Sequence, residues 1–211
     1  MLFLDPGSDT IGCSTSSLPT SFMPSVLGGI SVDADDFRLS PISHASHFSF
    51  HLLHQCSKLL DGYWNLRSYI FCKEQHLFES SDCDNLDSIS YPIVAVSHKP
   101  NYTGKVIGVV RIFEQSHRHW QGGRLGVHCD FRPYNQIGKG LIWKAVTIAN
   151  GWGCDHFLAT VQIQNVRFFQ RLHWASIDEL DIKGVKHHLM EADLSYYTPS
   201  DEQRPALLPS P

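Results

Sequence analysis

Charge is scarce in this chain. Asp, Glu, Lys and Arg make up 18% of its 211 residues, the formal net charge is -4, and no run of Lys or Arg occurs. Proteins that grip long phosphate backbones carry a basic stripe, so nucleic acid is not an expected partner. Long apolar runs are missing as well. The opening MLFL meets Asp5 and Pro6 at once, with no basic residue ahead of it. That is a poor secretory leader and no membrane span, so a cytoplasmic protein with no membrane partner is expected. The six cysteines, Cys13, Cys56, Cys72, Cys83, Cys129 and Cys154, form no CxxC pair, and no HExxH occurs. Reduced thiols are therefore expected rather than a disulfide framework, and no metal is expected.

What the chain does have is enough apolar residue, 42%, to bury a core, and thirteen histidines. The histidines group as His44, His47, His51 and His54, then His117 and His119, then His187 and His188. Imidazole is the commonest metal ligand, but none of these spacings matches a structural zinc site. They are read as surface or partly buried residues.

Composition divides the chain. Residues 1–35 are rich in Ser, Pro, Gly and Thr without sustained period and read as a flexible leader; 198–211 read as a disordered tail; 36–197 read as one domain. Within it, Phe37 to Ile42 is a first candidate strand. Ser57 to Gln75 is a helix, with Leu59, Leu60, Tyr63, Leu66, Ile70 and Phe71 at helical spacing. An acidic turn follows. PIVAVSH and GKVIGVVRIFE form a hairpin across a Pro-Asn-Tyr-Thr-Gly turn, and RLGVHCDF is the next strand. IGKGLIWKAVTIANGWG is a helix whose stripe is Leu141, Ile142, Ala145, Ile148 and Ala149, ended by Gly151 or Gly153. HFLATVQ is a buried strand, Asn165 to Leu172 a short helix. Two late strands, near 176–182 and 186–193, meet at Lys183-Gly184. The pattern fits an α/β sandwich: a mixed, mostly antiparallel central sheet flanked by helices, with one parallel strand-helix-strand crossover.

Two stretches carry the chemistry. In Val127-His128-Cys129-Asp130-Phe131-Arg132, then Pro133-Tyr134-Asn135-Gln136, then Ile137-Gly138-Lys139-Gly140, a strand runs through a Gly-punctuated turn into a helix. A helix start leaves backbone N–H groups unpaired, which seats a phosphate. In ATVQIQNVRFFQRLHW a strand is followed by Asn165 and a short helix. Together they resemble the core of the GNAT superfamily of acyl-CoA-dependent N-acetyltransferases over about residues 55–195. A bacterial branch associated with nitrogen starvation is similar.

That resemblance implies acetyl-CoA as co-substrate, a small-molecule amine as acceptor, and a homodimer as an allowed assembly. It implies cofactor contacts from Val127, His128, Cys129, Arg132, Gln136, Ile137, Gly138, Lys139, Gly140 and Asn165. Three departures stand out. Cys129 replaces the usual Pro. The loop is about one residue long, so either Gln136 takes the place of the first glycine or Asn135 that of the usual Arg or Gln. Phe169 stands where many members carry a Tyr that protonates the departing thiolate, and Phe has no proton to give.

The amine must lose a proton, so a base is needed. His119 and Glu114, near one end of the central strands, are the first choices, with His117 and His128 as others; each also suits a solvent-exposed polar site. Arg67, Phe71, Glu74 and Gln75 match the start of some GNAT proteins. The acidic turn with Asp82, Asp84 and Asp87 reads either as a wall of the acceptor pocket or as a solvated loop, and Arg67 is a candidate partner for one of its acids. The front half, with Arg111, also resembles acyl-homoserine-lactone synthases. The alternatives to an N-acetyltransferase are thus a non-catalytic acyl-CoA-binding module and a synthase-like acyltransferase.

Overall fold

The computed structural model describes residues 47–54, 57–182 and 184–207. The candidate strand at 37–42 lies outside them. In chain order the elements are β1 (Phe48–Leu52), α1 (Leu60–Ser68), β2 (Ser90–Ser97), β3 (Val106–Ser116), β4 (His119–Val127), α2 (Asn135–Gly151), β5 (His156–Gln162), α3 (Val166–Gln170), β6 (Trp174–Ile182) and β7 (Val185–Ala192). The strands make one seven-stranded sheet in the order β1-β2-β3-β4-β5-β7-β6. Each neighbouring pair is antiparallel except β4 and β5. α2 is the crossover that this parallel pair requires.

Each face of the sheet has its own apolar layer. α2 buries Ile137, Leu141, Ile142, Ala145 and Ile148 against Ile93, Ala95, Ile107, Val110 and Ile112. On the opposite face, Tyr63, Leu66, Ile70 and Phe71 cover Val94, Val96 and Val109. Close approach fixes two glycines. A Cβ on Gly108 of β3 would sit 2.8 Å from Leu141 and 3.0 Å from Ile137, and one on Gly126 of β4 would sit 2.8 Å from Ile70.

The helix expected over 57–75 is α-helical only to Ser68 and continues as a π-helical turn over Tyr69–Glu74. The Gln75 N–H reaches back five residues to the Ile70 carbonyl at 3.0 Å. The wider turn lets Ile70, Phe71 and Cys72 all face inward, and such turns gather at functional sites.

The strand expected over 124–131 begins earlier and ends earlier. β4 starts at His119 and stops at Val127, and Cys129–Phe131 is a 3-10 turn. The glycine pair Gly122-Gly123 disguised a strand held by neighbours on both sides. The strand β1 was hidden for a similar reason, since its alternating FSFHL is short and half polar.

Residues 198–204, read from the sequence as a tail without structure, run along α2 and β2. The Ser200 N–H binds the Thr147 carbonyl at 2.9 Å, Trp152 Nε1 donates to the Glu202 carbonyl at 2.7 Å, and Arg204 donates to the Tyr91 hydroxyl at 2.7 Å. No helix among the described residues is long and apolar enough to cross a membrane.

Candidate functional site

The parallel ladder between β4 and β5 pairs His119–Gly122 with His156–Ala159 and then stops. Both strands continue, β4 to Val127 and β5 to Gln162, without pairing to each other. The cause lies in β4. Between the pairs Val109↔Gly126 and Arg111↔Gly123 the register slips, with two residues on β4 facing one on β3. One of them, Arg124, has φ 51°. A bulge of this kind bends its strand and strengthens the local twist, which turns β4 away from β5.

Arg124 is held in that strained region by a buried ionic cluster. Its Nη2 donates to Asp84 at 2.8 Å and to the Asp82 carbonyl at 3.0 Å. Arg67 donates to Asp82 at 2.7 Å and to Asp87 at 2.6 Å; Arg111 donates to Asp84 at 2.7 Å and to Asp87 at 2.6 Å. Arg67 and Arg111 are fully buried, and Asp87 is 6% exposed. Burial pushes the Asp87 carboxyl up, but the hydrogen bonds and charges of Arg67 and Arg111 outweigh it and hold it below its usual range. Of the two sequence readings of the acidic turn, neither survives. The acids are neither pocket wall nor solvated loop. They clamp Arg67, Arg111 and the β4 bulge together.

Past the bulge, the side of β4 that faces β5 has no ladder partner among the described residues. The His128 N–H is spent on the Ile107 carbonyl at 2.9 Å, so His128 supplies no backbone donor there. The strand alternation turns Val127 to the open side. Its carbonyl accepts from Arg132 Nε at 3.0 Å, which leaves the Val127 N–H as the donor on that edge. Arg132 also pairs with Glu74, so its guanidinium braces the loop instead of standing free.

α2 begins at Asn135, so the glycines expected in a loop lie inside the helix. The first four amides of a helix have no intrahelical carbonyl. The Ile137 N–H is taken by Tyr134 at 3.1 Å, and the Ile137 side chain is fully buried. Lys139 and Gly140 fall past the open amides. A Cβ on Gly140 would overlap the Phe50 ring, which gives that glycine a packing reason. The anion seat is therefore narrower than the sequence suggested: the amides of Asn135 and Gln136, at the positive end of a helix running to Gly151, since the Gly138 N–H makes the first intrahelical bond, to the N-cap Tyr134 carbonyl. Tyr134 occupies the N-cap without a capping side-chain bond. Lys139 is half-buried.

Asn165 stands at the N-cap of α3, yet its side chain makes no capping bond and its backbone is helical, φ -101° and ψ -8°. The capping role that its residue type suggests is not used, so its amide remains for a ligand. Phe169 is fully buried, edge-on to Trp174 at 5.2 Å, and belongs to the core.

Glu114 and His119 are not brought to this cleft. Glu114 lies near the end of β3 and His119 at the start of β4, and the run from His119 to Val127 spans roughly 27 Å at about 3.4 Å per residue. Glu114 accepts the Arg118 N–H at 2.9 Å and the Arg204 guanidinium at 2.8 Å. That backbone bond, then Arg204, hold its carboxyl below the usual range and make it a weaker base. His119 stacks on His156 at 4.7 Å, and its Nδ1 lies 3.0 Å from the His117 carbonyl. The sequence placed the β3–β4 turn beside the cleft; the splay opens at the other ends of the strands.

The face of the splay opposite α2 carries polar residues that the sequence reading passed over. Thr160 pairs across with Leu189, and Gln162 with His187, which puts Thr160, Gln162 and His187 on one face. The Thr160 hydroxyl is buried without a hydrogen-bond partner, and so is His187 Nε2. His187 Nδ1 lies 2.7 Å from the Val185 carbonyl. A carbonyl accepts only from a protonated nitrogen, so Nδ1 carries the proton and Nε2 is left with a lone pair. The period-two run Val185, His187, Leu189 held this signal, masked by the adjacent His188.

The acetyltransferase (GNAT) family profile matches residues 58–174. No curated protein matches. Among solved structures, a Lactobacillus plantarum protein assigned as an N-acetyltransferase superposes with TM-score 0.60 at 18% identity, over 70% of this chain and 98% of that one. An acyl-CoA N-acyltransferase from Pseudomonas aeruginosa gives 0.58 at 17%, over 69% and 99%. Escherichia coli ElaA gives 0.58 at 18%, over 68% and 98%. A mixed sheet splayed at its one parallel pair beside a helix start defines an acyltransferase fold. The chain belongs to the acetyltransferase (GNAT) family.

Proposed function

We propose that this protein transfers an acetyl group from acetyl-CoA to the amine of a small molecule in the cytoplasm. One observation carries the reading: the β4–β5 ladder stops at Gly122↔Ala159 while both strands run on. The resulting slot ends at the α2 N-terminus. The amide-bearing arm of acetyl-CoA pairs with the open edge of β4 as an added strand would. Its diphosphate lies against the Asn135 and Gln136 amides, and the Asn165 amide contacts the arm from the β5 side. The Val127 N–H is aimed at the oxyanion that forms when the thioester is attacked.

His187 replaces Glu114 and His119 as the proposed base. Its Nε2 lone pair is unpartnered on the sheet face opposite α2, and it takes the amine proton through a water. With phenylalanine at position 169, the thiolate leaves without a tyrosine acid, protonated by water.

Calorimetric titration of acetyl-CoA, followed by mass detection of acetylated product across a panel of small amines, tests the proposal. Binding with product formation supports it. Binding without product on any amine reduces the protein to an acyl-CoA-binding module. Absence of binding in the wild-type protein ends the reading. S-adenosylmethionine consumption would favour the synthase-like alternative.

A further inference from the structure

The turn that joins β4 to α2 gathers three donors of different chemistry. His128 Nδ1, Cys129 Sγ and the Asp130 carboxylate all lie within 4.8 Å of one another. Sγ lies 3.8 Å from Nδ1 and 3.5 Å from Asp130 Oδ1, and Nδ1 lies 3.8 Å from the other carboxylate oxygen, Oδ2. Ligand bonds of about 2.0–2.3 Å at tetrahedral angles separate donors by roughly 3.3–3.6 Å. Counted to a single carboxylate oxygen the three donors lie within 4.8 Å, so closing by at most about 1.5 Å, with a turn of the Asp130 carboxyl, lets them share one ion.

The proton arrangement favours it. The Asp130 N–H donates to His128 Nδ1 over a long 3.3 Å. That nitrogen is therefore the lone-pair nitrogen of the ring, and the bond a metal would displace is weak. A 3-10 turn over Cys129–Phe131 brings consecutive residues to one side. In an extended strand they would alternate.

The surroundings already orient the donors as a metal's outer partners do. The Tyr102 hydroxyl donates to Asp130 Oδ2 at 2.8 Å. The Tyr69 ring stacks on His128 at 6.0 Å with 14° between planes. Cys129 is exposed and in no disulfide, so an ion can reach it. No spaced motif marks such a site, because metal motifs are sought at separated positions and these donors are contiguous.

We propose that His128, Cys129 and Asp130 bind one zinc-class transition-metal ion with three protein ligands and an open fourth position. Thiolate, imidazole and carboxylate together select such an ion over magnesium or calcium. The ion staples the β4–α2 connection. The proposal stands whether or not the chain transfers acetyl groups.

Cobalt(II) is the probe, because zinc is spectroscopically silent and cobalt bound to thiolate shows a charge-transfer band. Titrating the full chain with cobalt(II) is expected to give one equivalent with that band and a tetrahedral visible spectrum. Zinc should then bleach it. Cys129→Ala should abolish the band, and Cys83→Ala, which removes another exposed thiol, should leave it. Tyr102→Phe should weaken binding about tenfold, the loss typical of an outer partner. Zinc should raise Tm in the wild type and not in Cys129→Ala. A band that survives Cys129→Ala, a band lost in Cys83→Ala, or no stoichiometric cobalt binding overturns the site.

Discussion

Around His119 the start of β4 is closed: it pairs with β3 on one side and β5 on the other, and the 198–204 segment straps it from outside. Around Val127 the same strand is open, bulged at Arg124 and parted from β5. The two ends carry similar residue types, His and acid beside aromatics, and so looked equally suitable from sequence. They differ in what the backbone has left to offer. At the closed end the polar groups serve the fold; at the open end a strand edge, helix amides and an unused Asn side chain remain for a ligand.

The sharpest way to break this difference is to unclamp the bulge. Asp87 bridges Arg67 and Arg111, and Asp87→Ala leaves two buried cations short of their shared partner. Removing one member of a buried pair typically costs about 3–5 kcal/mol, so urea unfolding should show a loss of that size or no folded protein. Asp87→Asn, which keeps the shape, should lose less. The native carboxyl sits below the ordinary carboxylate range, held there by Arg67 and Arg111 against the opposing effect of burial. A depressed native pKa stabilises the fold above the unfolded value, and that contribution vanishes as pH falls through the native one. Acid unfolding should therefore steepen below about pH 3.8 in the wild type and flatten in Asp87→Asn.

Next in size is the proposed base. His187→Ala should lower kcat by about 100-fold or more, the range for loss of a general base. The acetyl-CoA Kd should stay unchanged, since β7 lies beyond β5 from the slot. A fall in cofactor affinity of equal size would assign His187 to packing instead.

How much of this was legible depends on which forces set each element. α2 and β5 were read correctly because each is buried on its own terms, with a helical stripe at Leu141, Ile142, Ala145, Ile148 and Ala149 and a mostly apolar strand at Phe157, Leu158, Ala159 and Val161. The start of β4 was not legible. His119 to Gly122 holds its strand by pairing on both sides, and Gly122 and Gly123 carry no strand preference of their own. The anion seat was legible as a location but not in its width, because helix capping decides which amides stay free. The ionic cluster was half legible: Arg67 was matched to the acids, but its pairing across to Arg111 and Arg124 is a tertiary fact.

A smaller effect sharpens the open end. Gln136 is exposed at the first turn of α2. Gln136→Glu places a negative charge where the diphosphate should lie, worth about 1 kcal/mol against the helix dipole and anion. Acetyl-CoA should bind roughly fivefold to tenfold more weakly by calorimetry, with Tm unchanged or slightly raised, since an acid suits a helix start. Unaltered affinity would move the phosphate away from α2.

The smallest expected effect falls at the closed end. Glu114→Gln and His119→Ala change the two residues that sequence reasoning favoured for proton transfer. Glu114 is already committed to the Arg118 N–H and Arg204, and its carboxyl is held charged by them. His119 is committed to His156. Both lie a strand's length from Val127. Each variant should keep kcat within about twofold, because a general base contributes at least 100-fold when it is one. Glu114→Gln weakens the Arg204 contact at the surface, where an exposed pair is worth about 0–1 kcal/mol. A slight fall in Tm with full turnover is therefore the expected pattern. A collapse of kcat in either variant would place the chemistry at the wrong end of β4 and overturn the distinction drawn between them.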